Sequence, residues 1–400
     1  RTADSERTKG VCQVMVARAL VELEDWEQLY AWVLRVNRTD RRYDISLNLT
    51  LMKGAKRLYE EGEYLNALYL YRMVLPREVL LEFANDRVAN LQSQIAAGIN
   101  SELENKQLQS EITEVQSAME VLRELPPYEE EVLFRIGQIY ADVKRYWEGY
   151  VLFEKLCRED PDGDIGEAAA MQAVMVLSTV KQFDRSEARI IKYLDEKPDG
   201  LYARALLAML MRDNLIRENF EKVIGARHYV AGLPLAGDDE NERMTQADLH
   251  YMLAFAYLQS TRPREAGEQF DIILETYRDS LQAPASLYFR GMSYMLQADY
   301  ENALADFKAF QEQHASDELF AESIFREGVC LYGLEQIPEA EAAFTRFIDA
   351  YPAHSVVSEA YSLRGDIEAS KEATIEDPLT LDRAQADYRR AIDTAQIPLQ

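Results

Sequence analysis

Four hundred residues with 48% hydrophobic content exceed what one ordinary core holds and exclude a wholly disordered chain. A net charge of −26 excludes a nucleic-acid binder, which needs a basic footprint against phosphates, and disfavours anionic membrane surfaces. Gly 17 and Pro 12 are few for this length, which favours helices over turn-rich sheets.

In chain order, residues 1–76 read as two helix pairs. In the first, Ala17 and Leu29 hold the close-approach positions, with Trp26 at the turn and Val33 and Val36 behind. It is degenerate, as a terminal cap should be. The second is clearer: Ala55, then Glu61-Gly62-Glu63-Tyr64 at the turn, then Ala67, Tyr71 and Val74, stopped by Pro76. Residues 77–126 break this period. Their apolar residues, among them Val88, Leu91, Ile95, Ile99, Leu108, Ile112, Val115 and Met119, recur mostly at helical spacing. The spacing predicts one helix of ~70 Å or a hairpin turning near Gly98–Ser101, and the step from Ile99 to Leu108 favours the break. This insertion either carries specific function or packs back on the array as padding.

Units three to five occupy 127–238. Gly137, Tyr140, Tyr146, Gly149, Phe153, Leu156 and Pro161 repeat the earlier pattern. Val174 follows 37 residues after Gly137, with Phe183, Ser186, Ile190, Tyr193 and Pro198. The fifth unit is placed by phase: Met211 and Arg227 fit poorly beside Phe220, Val223 and Val230. Gly237 to Glu242 reads as an acidic loop that lengthens the next interval. Residues 239–400 hold four more units, whose Ala254, Gly291, Gly328 and Gly365 stand 37 apart. Their partners are Ala266, Ala303, Ala340 and, after an insertion around Thr374–Thr380, Ala384. The last keeps Tyr388 and Ala391 as a degenerate cap. Two helices that cross closely need Gly or Ala where their axes approach. One pair cannot bury both faces, so the pairs must stack.

Two units state the pattern most fully. Leu287-x-x-Arg290-Gly291-x-x-Tyr294 and Tyr300-x-x-Ala303-x-x-x-Phe307-x-x-Phe310 recur as Ile324-x-x-Glu327-Gly328-x-x-Leu331 and Ile337-x-x-Ala340-x-x-x-Phe344-x-x-Phe347, followed by Tyr351-Pro352. This resembles the tetratricopeptide repeat (TPR). The resemblance implies an all-α fold, a right-handed TPR superhelix (α-solenoid), here with a long helical insertion. It also implies a non-catalytic protein–protein interaction scaffold, with the first helix of each pair, helix A, lining an inner groove. The family's groove positions fall on Tyr251, Phe255 and Leu258; Tyr288, Met292, Met295 and Leu296; Phe325, Val329 and Tyr332. Such an apolar wall, rich in Met and aromatics, suits an amphipathic helix or apolar peptide. The same residues would also serve as core between adjacent A helices. The family's carboxylate clamp needs Lys, Asn and Arg, and Glu131, Asp142, Glu322 and Asp366 stand there instead.

A narrower resemblance covers about residues 247–365. The step of 37 and the run Ala343 to Ser355, echoed from Phe270 to Ser280, are similar to TPR units of bacterial outer-membrane assembly lipoproteins and of the Tol–Pal-associated periplasmic coordinator. This implies a periplasmic or envelope scaffold in a larger assembly, in preference to a cytoplasmic protein. Two other readings stay open: a regulatory TPR segment of a larger enzyme or signalling polypeptide, and a self-assembling structural protein. The chain opens at Arg1, and the sequence leaves a preceding leader or lipid anchor open.

No catalytic pattern stands out. His228, His250, His314 and His354 are scattered, and no phosphate-binding glycine loop or GxSxG is present. No metal site or cofactor is implied. Asp160-Pro161-Asp162-Gly163-Asp164 only faintly resembles a calcium loop, with Pro161 an intruder. Cys12, Cys157 and Cys330 are far apart and read as small apolar helix residues. The longest apolar run, Ala168 to Val180, falls short of the ~20 residues a membrane helix needs. Protein partners are expected, with a basic or apolar helix permitted by the charge.

Overall fold

A computed structural model of the chain describes residues 12–13, 15–35, 45–234, 237, 239–371 and 379–395. Every regular element among them is a helix. The chain divides into two compact units, Arg1–Ser186 and Glu187–Gln400. Val36, the Val33 side chain and most of the insertion expected around Thr374–Thr380 lie outside the described residues.

In the first unit, residues 15–22 form the A helix that pairs with α1 (Trp26–Arg35). Next come α2 (Ile45–Glu60) with α3 (Tyr64–Tyr71), then α4 (Arg77–Ala96) and α5 (Glu102–Glu124). They are followed by α6 (Glu129–Asp142) with α7 (Tyr146–Glu159), then α8 (Asp164–Thr179) with α9 (Phe183–Glu196). The division between units falls inside α9. The second unit holds α10 (Ala203–Ile216), α11 (Phe220–Gly225) and α12 (Arg227–Gly232), then α13 (Glu240–Gln259) with α14 (Pro263–Thr276). It closes with α15 (Ala283–Leu296) and α16 (Tyr300–Gln313), α17 (Phe320–Gly333) and α18 (Ile337–Ala350), and α19 (Val357–Lys371) and α20 (Leu379–Ala395).

The pairs close where a small residue on helix A meets a ring on helix B. A Cβ built on Gly137 would stand 2.7 Å from Phe153, on Gly291 3.0 Å from Phe307, on Gly328 2.7 Å from Phe344, and on Gly365 3.0 Å from Tyr388. Those three phenylalanines are fully buried. Ala17, Ala55, Ala67, Ala254, Ala266, Ala303 and Ala340 are likewise sealed from solvent. The weak fifth pair is weak in space too. Its B helix is broken into α11 and α12 around Ala226, and Arg227, where a large apolar residue belongs, is exposed.

Among the described residues each A–B turn is closed by one residue in the left-handed region. These are Glu24, Gly62, Lys144, Lys181, Glu218, Thr261, Ala298 and Glu335, at φ between +54° and +82°. The next amide then reaches back five residues, as from Arg145 to the Tyr140 carbonyl at 2.7 Å and from Gln336 to Leu331 at 3.0 Å. This satisfies helix-end carbonyls that would otherwise be orphaned. Only Gly62 uses the residue type that tolerates the conformation freely, so the other turns are held by the packing on both sides.

Residues 77–125 are two helices. They break at Gly98, φ +65°, and restart at Ser101, which forms a reciprocal capping box with Glu104. The hairpin's base is clasped. Asn48, buried in α2, exchanges two hydrogen bonds with the Leu75 backbone at 2.8 and 3.2 Å, and the Tyr128 hydroxyl donates to the Leu75 carbonyl at 2.8 Å. The Arg77 guanidinium donates to the Leu125 and Pro126 carbonyls, each at 2.7 Å. Entry and exit of the insertion are thus tied together, and α3 packs directly on α6. Met119 and Leu122 of α5 join the same core as α2.

Two local expectations need correction. The acidic run after Gly237 is a loop only in part: Asp239 caps α13, accepting from the Glu242 amide at 2.9 Å, and Glu240 and Glu242 are its first turn, where the helix dipole favours acids. Cys12 is exposed and Cys157 half-buried. Only Cys330 is a core residue, its thiol pushed up to about 12 by burial.

Gly328→Val should lower stability by at least ~2 kcal/mol, because the Phe344 ring has no room to retreat. Ala298→Gly should raise it by up to ~1 kcal/mol by relieving the left-handed turn. Urea or thermal midpoints of the full chain check both.

Candidate partner-binding face

The expected groove residues lie on α13, α15 and α17 of the second unit, and the structure sorts them by depth. Tyr288 and Phe325 are only 2% and 4% exposed. The Tyr288 ring meets Phe307 at 5.5 Å and Phe310 at 5.8 Å, and its hydroxyl engages Glu322 and Arg326 of the next A helix. Burial pushes that phenol up. Phe325 packs on Phe344 and Phe347 at 5.9 and 5.7 Å. Both rings are core, so neither offers itself to a partner. The physical reason is that a ring at this position faces its own B helix and the next A helix together. Tyr251 is half-buried between Phe270 and Phe289, at 6.1 and 6.4 Å, and occupies an equivalent place.

The positions one and two turns further along helix A behave differently. Phe255, Leu258, Met292, Met295 and Val329 are half-buried, and Phe255 is braced by Phe220 at 6.5 Å. Beyond them Leu296 is 60% and Tyr332 37% exposed. Ile216 on α10, at the repeat position of Leu296, is 73% exposed. Sequence reasoning missed it because its unit fits the repeat poorly, although the phase counted from Met211 places it. An acid follows each exposed tip at the turn: Glu218 after Ile216, Asp299 after Leu296, Glu335 after Tyr332.

Beneath this face runs a layer of ion pairs at one repeat position. Arg290 forms a bidentate pair with Asp306 at 2.8 and 2.7 Å and reaches Asp271 at 2.7 Å. Glu327 pairs with Arg346 and accepts from Gln311 at 3.1 Å. Arg364 pairs with Asp387 at 2.7 and 2.8 Å and with Thr345 at 3.1 Å. Each links its own B helix to the preceding one. His250 is half-buried on α13, with Nδ1 2.9 Å from Gln269 Oε1 and its ring stacked on Tyr277 at 6.1 Å. Burial pushes its pKa down, with the Gln269 bond acting in the opposite sense.

Among the described residues no group of His, Cys, Asp and Glu is arranged to hold a metal ion, and no helix is long and apolar enough to cross a membrane. In the loop from Asp160 to Asp164 the Asp160 carboxylate lies against Gly163, at the start of α8.

Recurrent helix pairs, a step of 37 and small residues set against rings define a tetratricopeptide-type array. A family model described as YfiO, outer membrane lipoprotein, matches residues 282–397. No curated protein matches the chain. Similar solved structures include a tetratricopeptide repeat protein from Parabacteroides merdae, 13% identical, covering 67% of this chain and 94% of its own, with TM-score 0.36. The C-terminal part of a TPR repeat-containing protein from Cytophaga hutchinsonii is 13% identical, covering 66% and 100%, with TM-score 0.43. YrrB, described as a TPR protein with an unusual peptide-binding site, is 19% identical, covering 61% and 98%, with TM-score 0.32.

Tyr288→Ala should cost ~3–5 kcal/mol, as for a large buried ring, while Leu296→Glu should change stability by no more than ~0.5 kcal/mol. Denaturant midpoints separate the two. His250 favours its neutral form in the folded chain. Its contribution is therefore whole above the ordinary histidine value and is lost as pH falls from there to the lowered folded value. His250→Gln should flatten that part of the stability difference between about pH 8 and about pH 5.

Proposed function

We propose that the chain is a non-catalytic scaffold of a larger, envelope-associated assembly. It receives an amphipathic helix or apolar peptide of a partner protein on the A-helix face of its second unit. The observation that carries this reading is the set of solvent-facing apolar tips at the ends of the A helices α10, α15 and α17, Ile216, Leu296 and Tyr332, above a half-buried floor of Met and Phe. Exposed large apolar residues at A-helix ends have no role in the core, and Met-rich floors adapt to apolar guests. The acids that follow each tip favour a guest with basic flanks. Envelope association is supported by the family match over residues 282–397.

A photo-crosslinking residue in place of Leu296 should capture a partner segment that is apolar on one face. The same residue in place of Leu281, exposed in a loop off this face, should not. Adding Ile216→Glu and Tyr332→Glu should abolish capture. Equal capture from both positions, or capture that survives the glutamates in a folded variant, refutes the reading.

A further inference from the structure

Along the turn edge of the first unit, charges of both signs mingle at the third and fourth A–B turns, where exposed Lys144, Arg145, Lys181 and Arg185 stand among Asp142, Glu148 and Asp184. The first two turns are different. They bound a single concavity of about 660 Å³, whose wall carries Glu24, Asp25, Glu27, Glu61 and Glu63 and no cationic residue. Among the described residues only Glu61 of these five has a cationic partner, Arg57 at 3.3 Å. Asp25 caps α1, accepting from the Gln28 amide at 3.0 Å, and Glu63 accepts from the Asn66 side chain at 3.2 Å. Glu24 and Glu61 gain nothing from their own helices. Each follows the C-terminal end of an A helix, where the dipole disfavours an acid. Like charges gathered here repel one another, and a cationic guest relieves that cost.

The same wall holds an orphan donor. Trp26 lines the concavity, is only 6% exposed, and its Nε1–H has no partner. The opposite edge of the ring, at Cζ3, is the one set against the core, 3.8 Å from where a Cβ on Gly54 would stand. The N–H edge is therefore turned from that contact towards the acids. A buried donor left without an acceptor is costly, and a wall of one charge attracts the other. A guest that answers both needs a carbonyl oxygen and positive charge. A polypeptide with Lys or Arg side chains has both, whereas a polyamine has the charge alone. We propose that the concavity between the first two A–B turns receives a lysine- or arginine-bearing segment of a partner protein. Its cations face Glu24, Glu27 and Glu63, and one of its backbone carbonyls accepts from Trp26. Leu23 and Leu65, 74% and 68% exposed, flank the acids with apolar surface for the segment's other side chains. This site is independent of the A-helix face proposed for the second unit.

The test uses the full chain and, as probe, a short capped peptide of alternating lysine and leucine. Calorimetric titration should show binding that weakens as salt is added. Glu24→Gln with Glu61→Gln should weaken it at least about tenfold and leave the thermal midpoint unchanged or higher. Glu268→Gln with Glu301→Gln removes the same charge from exposed positions of the second unit, and should leave affinity within about twofold. Spermidine, of equal charge but without a carbonyl, should bind at least about tenfold more weakly than the peptide. The indole N–H resonance of Trp26, assigned by its loss in Trp26→Phe, should shift on adding peptide, while those of Trp32 and Trp147 stay in place. No binding of the peptide, equal losses from the two pairs of variants, spermidine binding as tightly as the peptide, or an unmoved Trp26 signal overturns the proposal.

Discussion

The array depends on one contact: a residue with little or no side chain on helix A, pressed against an aromatic ring on helix B. At Gly137, Gly291, Gly328 and Gly365 even a methyl group would lie about 3 Å or less from the facing ring. Helices at this distance leave no space for water, and the rings bury their full area. Once the axes are this close, the turn between them has one geometry available. That is why Lys144, Lys181, Glu218, Thr261, Ala298 and Glu335 accept a left-handed backbone that their side chains disfavour. The fifth pair, which has Met211 instead of a small residue, is also the one whose B helix is broken.

A second constraint fixes which pair sits beside which. Apolar stripes of similar shape tolerate sliding, whereas buried charges do not. Arg290, Glu327 and Arg364 occupy one repeat position with alternating sign, each answered by opposite or neutral groups on the flanking B helices. A slip of one repeat would set Glu327 against Asp271 and Asp306. The clasp of Asn48, Arg77 and Tyr128 does similar work at the hairpin, tying its two ends so that the array continues past the insertion.

With the core accounted for, the remaining surface separates into parts. The A-helix ends of the second unit leave apolar tips standing in water, and the turn edge of the first unit exposes Leu23, Leu65, Trp147 and Val151 among charges of both signs. Neither is needed to hold a helix pair together. Both are wide and shallow, which suits recognition of protein segments better than enclosure of a small molecule.

Periodicity alone was enough to announce helix pairs, their step and the close-approach residues, because each follows from local spacing and from the volume of single side chains; for residues 77–125 it left one long helix or a hairpin open and only leaned to a break near Gly98. The resemblance to the repeat family, and not periodicity, set Phe255, Met292, Met295 and Tyr332 at groove positions. Neither could say that Tyr288 and Phe325 are withdrawn from that face while Ile216 and Leu296 stand out of it. Depth depends on what the neighbouring A and B helices place over each side chain. The left-handed turns and the hairpin clasp were hidden for the same reason: they join residues that are remote or unremarked in the chain, and only packing brings them together.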